Sequence, residues 1–383
     1  MALHFTVEEL AARRRRTIDA MIAKGLDGLL LFRQESMYWL TGYDTFGFCF
    51  FQCLYLGADG RITLLTRAPD LRQAQHTSMI QDIRIWVDGH GANPAAMLRD
   101  ILAEHGCKAK KLGVEWESYG LTAANGKRLE AALAGFCALD DASDLVAHLR
   151  AVKSPAEIAY VRRAAELADA ALREANRLAR PGADEGDILA AMQGAVFRGG
   201  GDYPANEYII GSGRDALLCR YFTGRRRLDA EDQLTLEFAG AYRHYHVCHM
   251  RTIRVGPAPA AQRDMHKAAL EAMQAATEAL KPGRPVGEAF DAHARVLDEA
   301  GLGPHRLNAC GYGLGAMYAP HWMDWPMLYH GNPALVEPGM VFFLHMIVVD
   351  SERGLAMTPG HSVLIGPSGA EKLSQESLDF VVN

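Results

Sequence analysis

Long apolar runs are missing from this 383-residue sequence. None approaches the roughly 20 residues that a membrane-spanning helix needs, and the longest candidates, such as Val341 to Val349, suit buried strands. The N-terminal stretch MALHFTVEELAARRRR lacks the apolar segment of a secretory leader. Cysteine is sparse and odd in number, seven, with no C-x-x-C spacing. That argues against a disulfide framework and for reduced thiols, hence a cytoplasmic location. An excess of positive charge is also missing: the net charge of −6 argues against nucleic acid as the main partner. The runs Arg13 to Arg16 and Arg225 to Arg227 read as solvated faces. What is present is ordinary globular composition, 49% hydrophobic and 22% charged, which leaves no room for long disorder. The length suits two domains with a sizeable core.

The first part alternates strands and helices. Gly28 to Phe32, Phe48 to Leu56, Ile62 to Thr66, Ile83 to Val87 and Leu112 to Trp116 read as strands. Ala95 to Glu104 and Leu121 to Leu133 read as helices, giving an α/β layer over residues 1–150. A boundary falls near Lys153. There Ser154-Pro155-Ala156-Glu157 combines a serine N-cap, a proline at the first helical position and a capping-box glutamate, and it starts a long helix to about Ala179. Residues 151–383 carry a faint repeat. Arg180-Pro181-Gly182 then Gly186, and Lys281-Pro282-Gly283 then Gly287, each follow a long helix and precede a second helix and strands. Two such halves would join their sheets into one layer with helices outside, and a site would fall between them.

The chemistry-bearing stretch of the first half is Leu234 to Gly240, followed by Tyr242, Tyr245, His246, Cys248, His249 and Arg251, and it reads as a hairpin. Glu237 ends an apolar strand, and a buried carboxylate needs a partner or a function. The second half has its counterpart in Glu337-Pro338-Gly339-Met340 and the strand ending at His345. A lone strand histidine is more often a satisfied core residue. The matched placement in two repeats favours a site.

On these residues the sequence resembles the creatinase and methionine/proline aminopeptidase superfamily, with its pita-bread C-terminal domain. The resemblance lies in Tyr38-Trp39-Leu40-Thr41-Gly42, in Val152 to Ile158 and in Glu337 to Met340, and it covers nearly the whole chain. It implies an N-terminal creatinase-type α/β domain and a C-terminal pita-bread α+β domain with a pseudo-two-fold repeat. Metallopeptidases of the family hold two metal ions on two Asp, one His and two Glu. By resemblance those positions are Glu237, Cys248, Tyr312, His345 and Gly360 here, none with the family's residue. One carboxylate is too few for a dinuclear site. Gly200 to Ala205, Glu237 to Gly240, Tyr245-His246 and Gly311-Tyr312 with Trp322 are similar to the metal-free branch that holds creatinase and ectoine hydrolase.

This resemblance implies a metal-independent C–N hydrolase acting on a small molecule, without cofactor, with no nucleic-acid or membrane partner, and assembled as a homodimer. Glu237 is expected to act as nucleophile or base, and His246, His345 or Tyr312 to serve the leaving nitrogen. Tyr203, His321 and Trp322 are expected to bind substrate, together with Tyr43 and Phe46 from an aromatic lid, Tyr43 to Phe48. Metal-free relatives carry a histidine some way after a Ser-Gly element. Here Ser212-Gly213 is followed at that position by Arg220, which suits a substrate carboxylate. Two other readings stand beside this one. One is a dipeptidase-like enzyme with a single metal on Glu237, Cys248, His345 and His361; the other is a non-catalytic binding protein.

Overall fold

In the computed structural model residues 3–219 and 224–383 are described. The chain divides into two compact units, Met1–Arg150 and Ala151–Asn383.

The first unit runs α1 (Val7–Ala23), β1 (Gly28–Leu31), α2 (Gln34–Thr41), β2 (Cys53–Gly57), β3 (Ile62–Arg67), α3 (Leu71–Thr77), β4 (Asp82–Trp86), α4 (Pro94–Glu104), β5 (Lys111–Val114), α5 (Ala123–Leu133), β6 (Ala138–Asp141) and α6 (Leu145–Ala151). Its six-stranded mixed sheet has the order β4-β3-β2-β1-β5-β6. Leu30, Tyr55, Leu65 and Leu112 turn to one apolar cluster, and Leu29, Leu31, Leu54 and Leu64 to another. Both faces are covered, so these strands appear in the sequence as unbroken apolar runs.

Three expectations change here. The run Phe48 to Leu56 is not one strand: Gly47–Cys49 forms a 3₁₀ turn and β2 starts at Cys53. The Thr45 hydroxyl accepts from the Gly47 amide and donates to Asp70, tying the turn down, and Arg67 lies over the Phe50 ring. Tyr43 is a core residue rather than a lid residue, wholly buried with its hydroxyl near Gln52 and Thr66, whereas Phe46 is 79% exposed. Arg13 is not on a solvated face: it is buried against Phe5 and donates to the Trp39 carbonyl.

Helix α2 shows why a local reading misses some elements. Its N-cap residue, Arg33, offers no capping side chain. Instead Glu115 accepts from the amides of Phe32 and Arg33 and from the Ser36 hydroxyl, all at 2.9 Å or less. A carboxylate about eighty positions away in the chain satisfies these donors. Complete burial pushes its carboxyl up to about 7, against the pull of those hydrogen bonds.

The second unit runs α7 (Pro155–Leu178), α8 (Glu185–Arg198), β7 (Ile209–Ser212), β8 (Asp232–Tyr242), β9 (Tyr245–Val255), α9 (Ala260–Ala279), α10 (Gly287–Glu299), β10 (Gly311–Gly313), β11 (Asp324–Met327), β12 (Val341–His345), β13 (Val348–Asp350), β14 (Leu355–Met357), β15 (Gly360–Gly366) and β16 (Gly369–Lys372). The capping box of Ser154 and Glu157 forms in full. Two helices followed by strands occur twice, and strands of both halves join one sheet in the order β11-β10-β12-β15-β9-β8-β7, with β16 paired to β15 and β13-β14 forming a separate hairpin. The halves meet where β15 pairs with β9. Among the arginines expected on solvated faces, Arg226 instead pairs with buried Asp232 and with Asp229.

Candidate active site

Alternation along the strands decides which side chains meet. In β8, Leu234, Leu236 and Phe238 join an apolar cluster with Leu167, Leu172 of α7 and Ile188, Met192 of α8. Glu237 therefore lies on the other face. In the second half, Phe342, Leu344, Val363 and Ile365 join the cluster formed with α9 and α10. His345 and Gly360 then turn away from those helices. The register links the halves residue by residue: Glu237 opposes Met250, Met250 opposes Gly360, and Gly360 opposes His345. Cys248 and His246 precede Met250 at spacings of two, and Tyr312 opposes Phe343. One helix-free face thus carries Glu237, His246, Cys248, Tyr312 and His345.

This face is curled. Tyr312 in β10 and Glu237 in β8 are separated by β12, β15 and β9. Four strand intervals span roughly 19 Å in a flat sheet. Yet the Tyr312 hydroxyl donates to Glu237 Oε1 at 3.1 Å. The Trp322 indole N–H donates in turn to the Tyr312 hydroxyl at 2.8 Å. The His345 ring lies 5.7 Å from that of Tyr312 and 5.4 Å from that of Phe343. All of these side chains are buried.

Burial, and after it the Glu237 carboxylate, pushes the Tyr312 phenol and the Cys248 thiol well above their ordinary values. Both groups carry their protons at neutral pH. His246 is wholly buried, and burial drives its pKa down to about 4. Its Nε2 accepts from the Ala205 amide at 2.9 Å, so the proton of the neutral ring sits on Nδ1. This changes the reading of His246. A neutral ring whose Nε2 is held by a backbone amide is poorly suited to protonate a leaving group. It ties residues 201–206 to β9 beside the Trp322 ring, 6.4 Å away.

The remaining expected residues separate. His361 follows Gly360 on β15 and so points to the helix face, opposite Leu344. There burial lowers its pKa to about 3, near Arg251 and His249, and neither ring nitrogen has a hydrogen-bond partner. It cannot join Glu237, Cys248 and His345 around one metal. Among the described residues, no three His, Cys, Asp or Glu side chains gather closely enough to hold a metal ion. Tyr203 is 82% exposed and lies edge-on to Phe197. Trp322 is buried with its indole N–H spent on Tyr312, so it supports the site from within. His321 precedes it, half-buried. Tyr43 and Phe46 belong to the first unit, and Arg220 lies outside the described residues.

One cluster escaped sequence reasoning. Asp169 of α7 accepts from Ser374 and from the Gln375 amide and bonds His249 Nε2, joining helix, sheet and C-terminal segment behind the site. The available signal was an aspartate among the apolar residues Ala164, Ala165, Ala168 and Leu172 on one helix face.

A model for metallopeptidase family M24 matches residues 159–367, and one for the creatinase/prolidase N-terminal domain matches residues 13–152. An ectoine hydrolase from Halomonas elongata is 29% identical over 98% of this chain and 97% of its own. An Xaa-Pro dipeptidase from Pyrococcus furiosus is 27% identical over 62% of this chain and 67% of its own. Among solved structures, a prolidase from Thermococcus sibiricus superposes with a TM-score of 0.88 at 18% identity over 99% of this chain and all of its own. An Xaa-Pro dipeptidase from Bacillus anthracis gives 0.84 at 21% identity, over 98% and 100% respectively. At these identities the structural likeness speaks to fold.

Proposed function

The chain belongs to metallopeptidase family M24, and within that family of carbon–nitrogen hydrolases we propose that it acts without metal on an amidine, guanidino or amide bond of a small carboxylate-bearing compound. The observation that carries this reading is the site face itself: one carboxylate, Glu237, hydrogen-bonded to a phenol, where a two-metal centre requires several bridging carboxylates. The family's metal pair does not fit the residues present. Cys248 is a thiol and Tyr312 a phenol, and neither supplies the bridging carboxylate that such a pair needs. At Gly360 any side chain would start 2.8 Å from Met250 Cβ and 3.0 Å from the Phe343 ring. The relative named for ectoine hydrolysis, similar over nearly its whole length, supports the same class of chemistry. The carboxylate in the substrate rests on Arg220, whose guanidinium suits such a group at any working pH.

In this mechanism Glu237 either attacks the electrophilic carbon or takes a proton from the attacking water. Its carboxylate is oriented by Tyr312 in both cases. Attack breaks the carbon–heteroatom π bond, and collapse of the tetrahedral intermediate expels the nitrogen, which must gain a proton. His345, on the same face beside Tyr312, is the residue assigned to that proton. If Glu237 is the nucleophile, water then releases the bound carbon; if it is the base, the product forms directly.

Product analysis by mass spectrometry against cyclic amidines, guanidino acids, N-acyl amino acids and Xaa-Pro dipeptides tests the reading. Cleavage confined to Xaa-Pro dipeptides would overturn it in favour of a dipeptidase. Activity on the compound found is expected to survive chelation and dialysis, with less than one metal per chain by elemental analysis. One tightly held zinc whose removal abolishes turnover would refute metal independence. The resemblance to creatinase extends the proposal to a homodimer, with the loop from Tyr43 to Phe48 approaching the partner's pocket through Phe46. Ultracentrifugation is expected to give a dimer at micromolar concentration. A fully active monomer there would remove this part of the proposal.

A further inference from the structure

The hydrogen bonds at Tyr312 have a fixed direction. An indole N–H can only donate, so the Tyr312 oxygen must accept from Trp322 at 2.8 Å. The phenol's single proton then goes to the other partner within reach, Glu237 Oε1 at 3.1 Å. Without the indole, the hydroxyl could rotate and accept rather than donate. We propose that Trp322 is a positioning residue that fixes the Tyr312 proton on Glu237 and so keeps this carboxylate ionised and oriented for reaction. The inference rests on the reading of Glu237 as the reacting carboxylate.

Burial supports it. Trp322 is 2% and Tyr312 5% exposed, so water cannot replace the indole as donor without opening the site. The phenol is held well above its ordinary value by burial and by Glu237, so it does not yield its proton to the carboxylate. Trp322 sits next to His246, whose ring is itself fixed by the Ala205 amide, and this limits where the indole can move. The chain from indole to carboxylate is therefore closed at its far end by packing.

The relay can be tested without turnover. In protein labelled with ¹⁵N-tryptophan, five indole N–H signals are expected, one per tryptophan, and the Trp322 signal is the one absent from Trp322→Phe. In the wild type it should exchange slowly with solvent and move in one step as pH is lowered through the titration of Glu237. In Glu237→Gln the step should vanish. In Tyr312→Phe, which removes one oxygen and leaves the packing intact, the signal should shift and also lose the step. A Trp322 signal that keeps its position and its titration in Tyr312→Phe would overturn the proposal.

The kinetic arm uses whichever panel compound is cleaved. Trp322→Phe should lower kcat about tenfold with KM within about twofold, and should move the acid limb of the pH–rate profile upward. Tyr312→Phe should do the same, and the double variant should be no worse than Tyr312→Phe alone, because both act through one bond. Additive losses, or an unmoved acid limb, would show that Trp322 merely fills space. Failure of the underlying reading looks different: Glu237→Gln would then stay active while the indole signal still reported the relay.

Discussion

Glu237→Gln is expected to lower turnover at least on the order of a thousandfold while leaving fold and ligand binding in place. Glutamine is nearly isosteric, and its carbonyl oxygen can still accept the Tyr312 proton, so the link from β10 to β8 survives. What disappears is the negative charge that makes the group a nucleophile or a base. Circular dichroism and the melting midpoint should match the wild type within a few degrees, and calorimetry should still detect the panel compound that the wild type cleaves. Retention of more than about a tenth of the wild-type rate would remove Glu237 from the mechanism.

Acid should destabilise the protein through histidines that burial keeps neutral in the folded chain. Burial holds His246 and His293 at about 4 and His361 at about 3, against an ordinary 6.5. Below 6.5 the unfolded chain binds protons on these rings and the folded chain does not. Stability therefore rises with pH from about 4 to 6.5 and levels off above that. Each ring contributes about 1.4 kcal/mol per pH unit within its window; Glu115, raised to about 7 and so protonated first in the folded chain, offsets about one ring, which leaves a net loss of roughly 3 kcal/mol per unit. Urea midpoints measured from pH 7.5 to 4.5 should stay level above about 6.5–7 and then fall steeply. His361→Leu isolates one ring. Because its nitrogens have no partners, the substitution should be neutral or stabilising at pH 7 and should take about one proton out of the acid slope. An unchanged slope in that variant would mean His361 does not stay neutral in the folded state.

Much of the architecture was legible because it is written locally. The capping box at Ser154 to Glu157 marks the start of α7 within four residues, and the repeated Pro-Gly elements mark the two halves. Glu237 and His345 were readable as candidates because each is a polar residue at the end of an apolar strand, and Tyr312 through the resemblance of Gly311 to Gly313 to a family motif. Other features were not legible. Helix α2 takes its cap from Glu115, so nothing near Arg33 announces it. Tyr43 looked like a lid residue beside Phe46, yet three positions of chain separate a core side chain from an exposed one. His361 looked like a ligand beside an expected ligand position. Adjacent strand residues face opposite ways, and this one is on the helix side.

The sequence by itself therefore determined the family, the two-part organisation and the loss of the carboxylates that a metal pair would need, since each depends on residue identity and short spacing. Tertiary structure alone decided how the survivors combine. The Tyr312–Glu237 bond joins residues 75 positions apart across four strand intervals. Its existence depends on strand order, register and curl together. The period of two along a strand is a local property that any segment carries. Which strands become neighbours, and how far their sheet bends, is set by the packing of the whole unit.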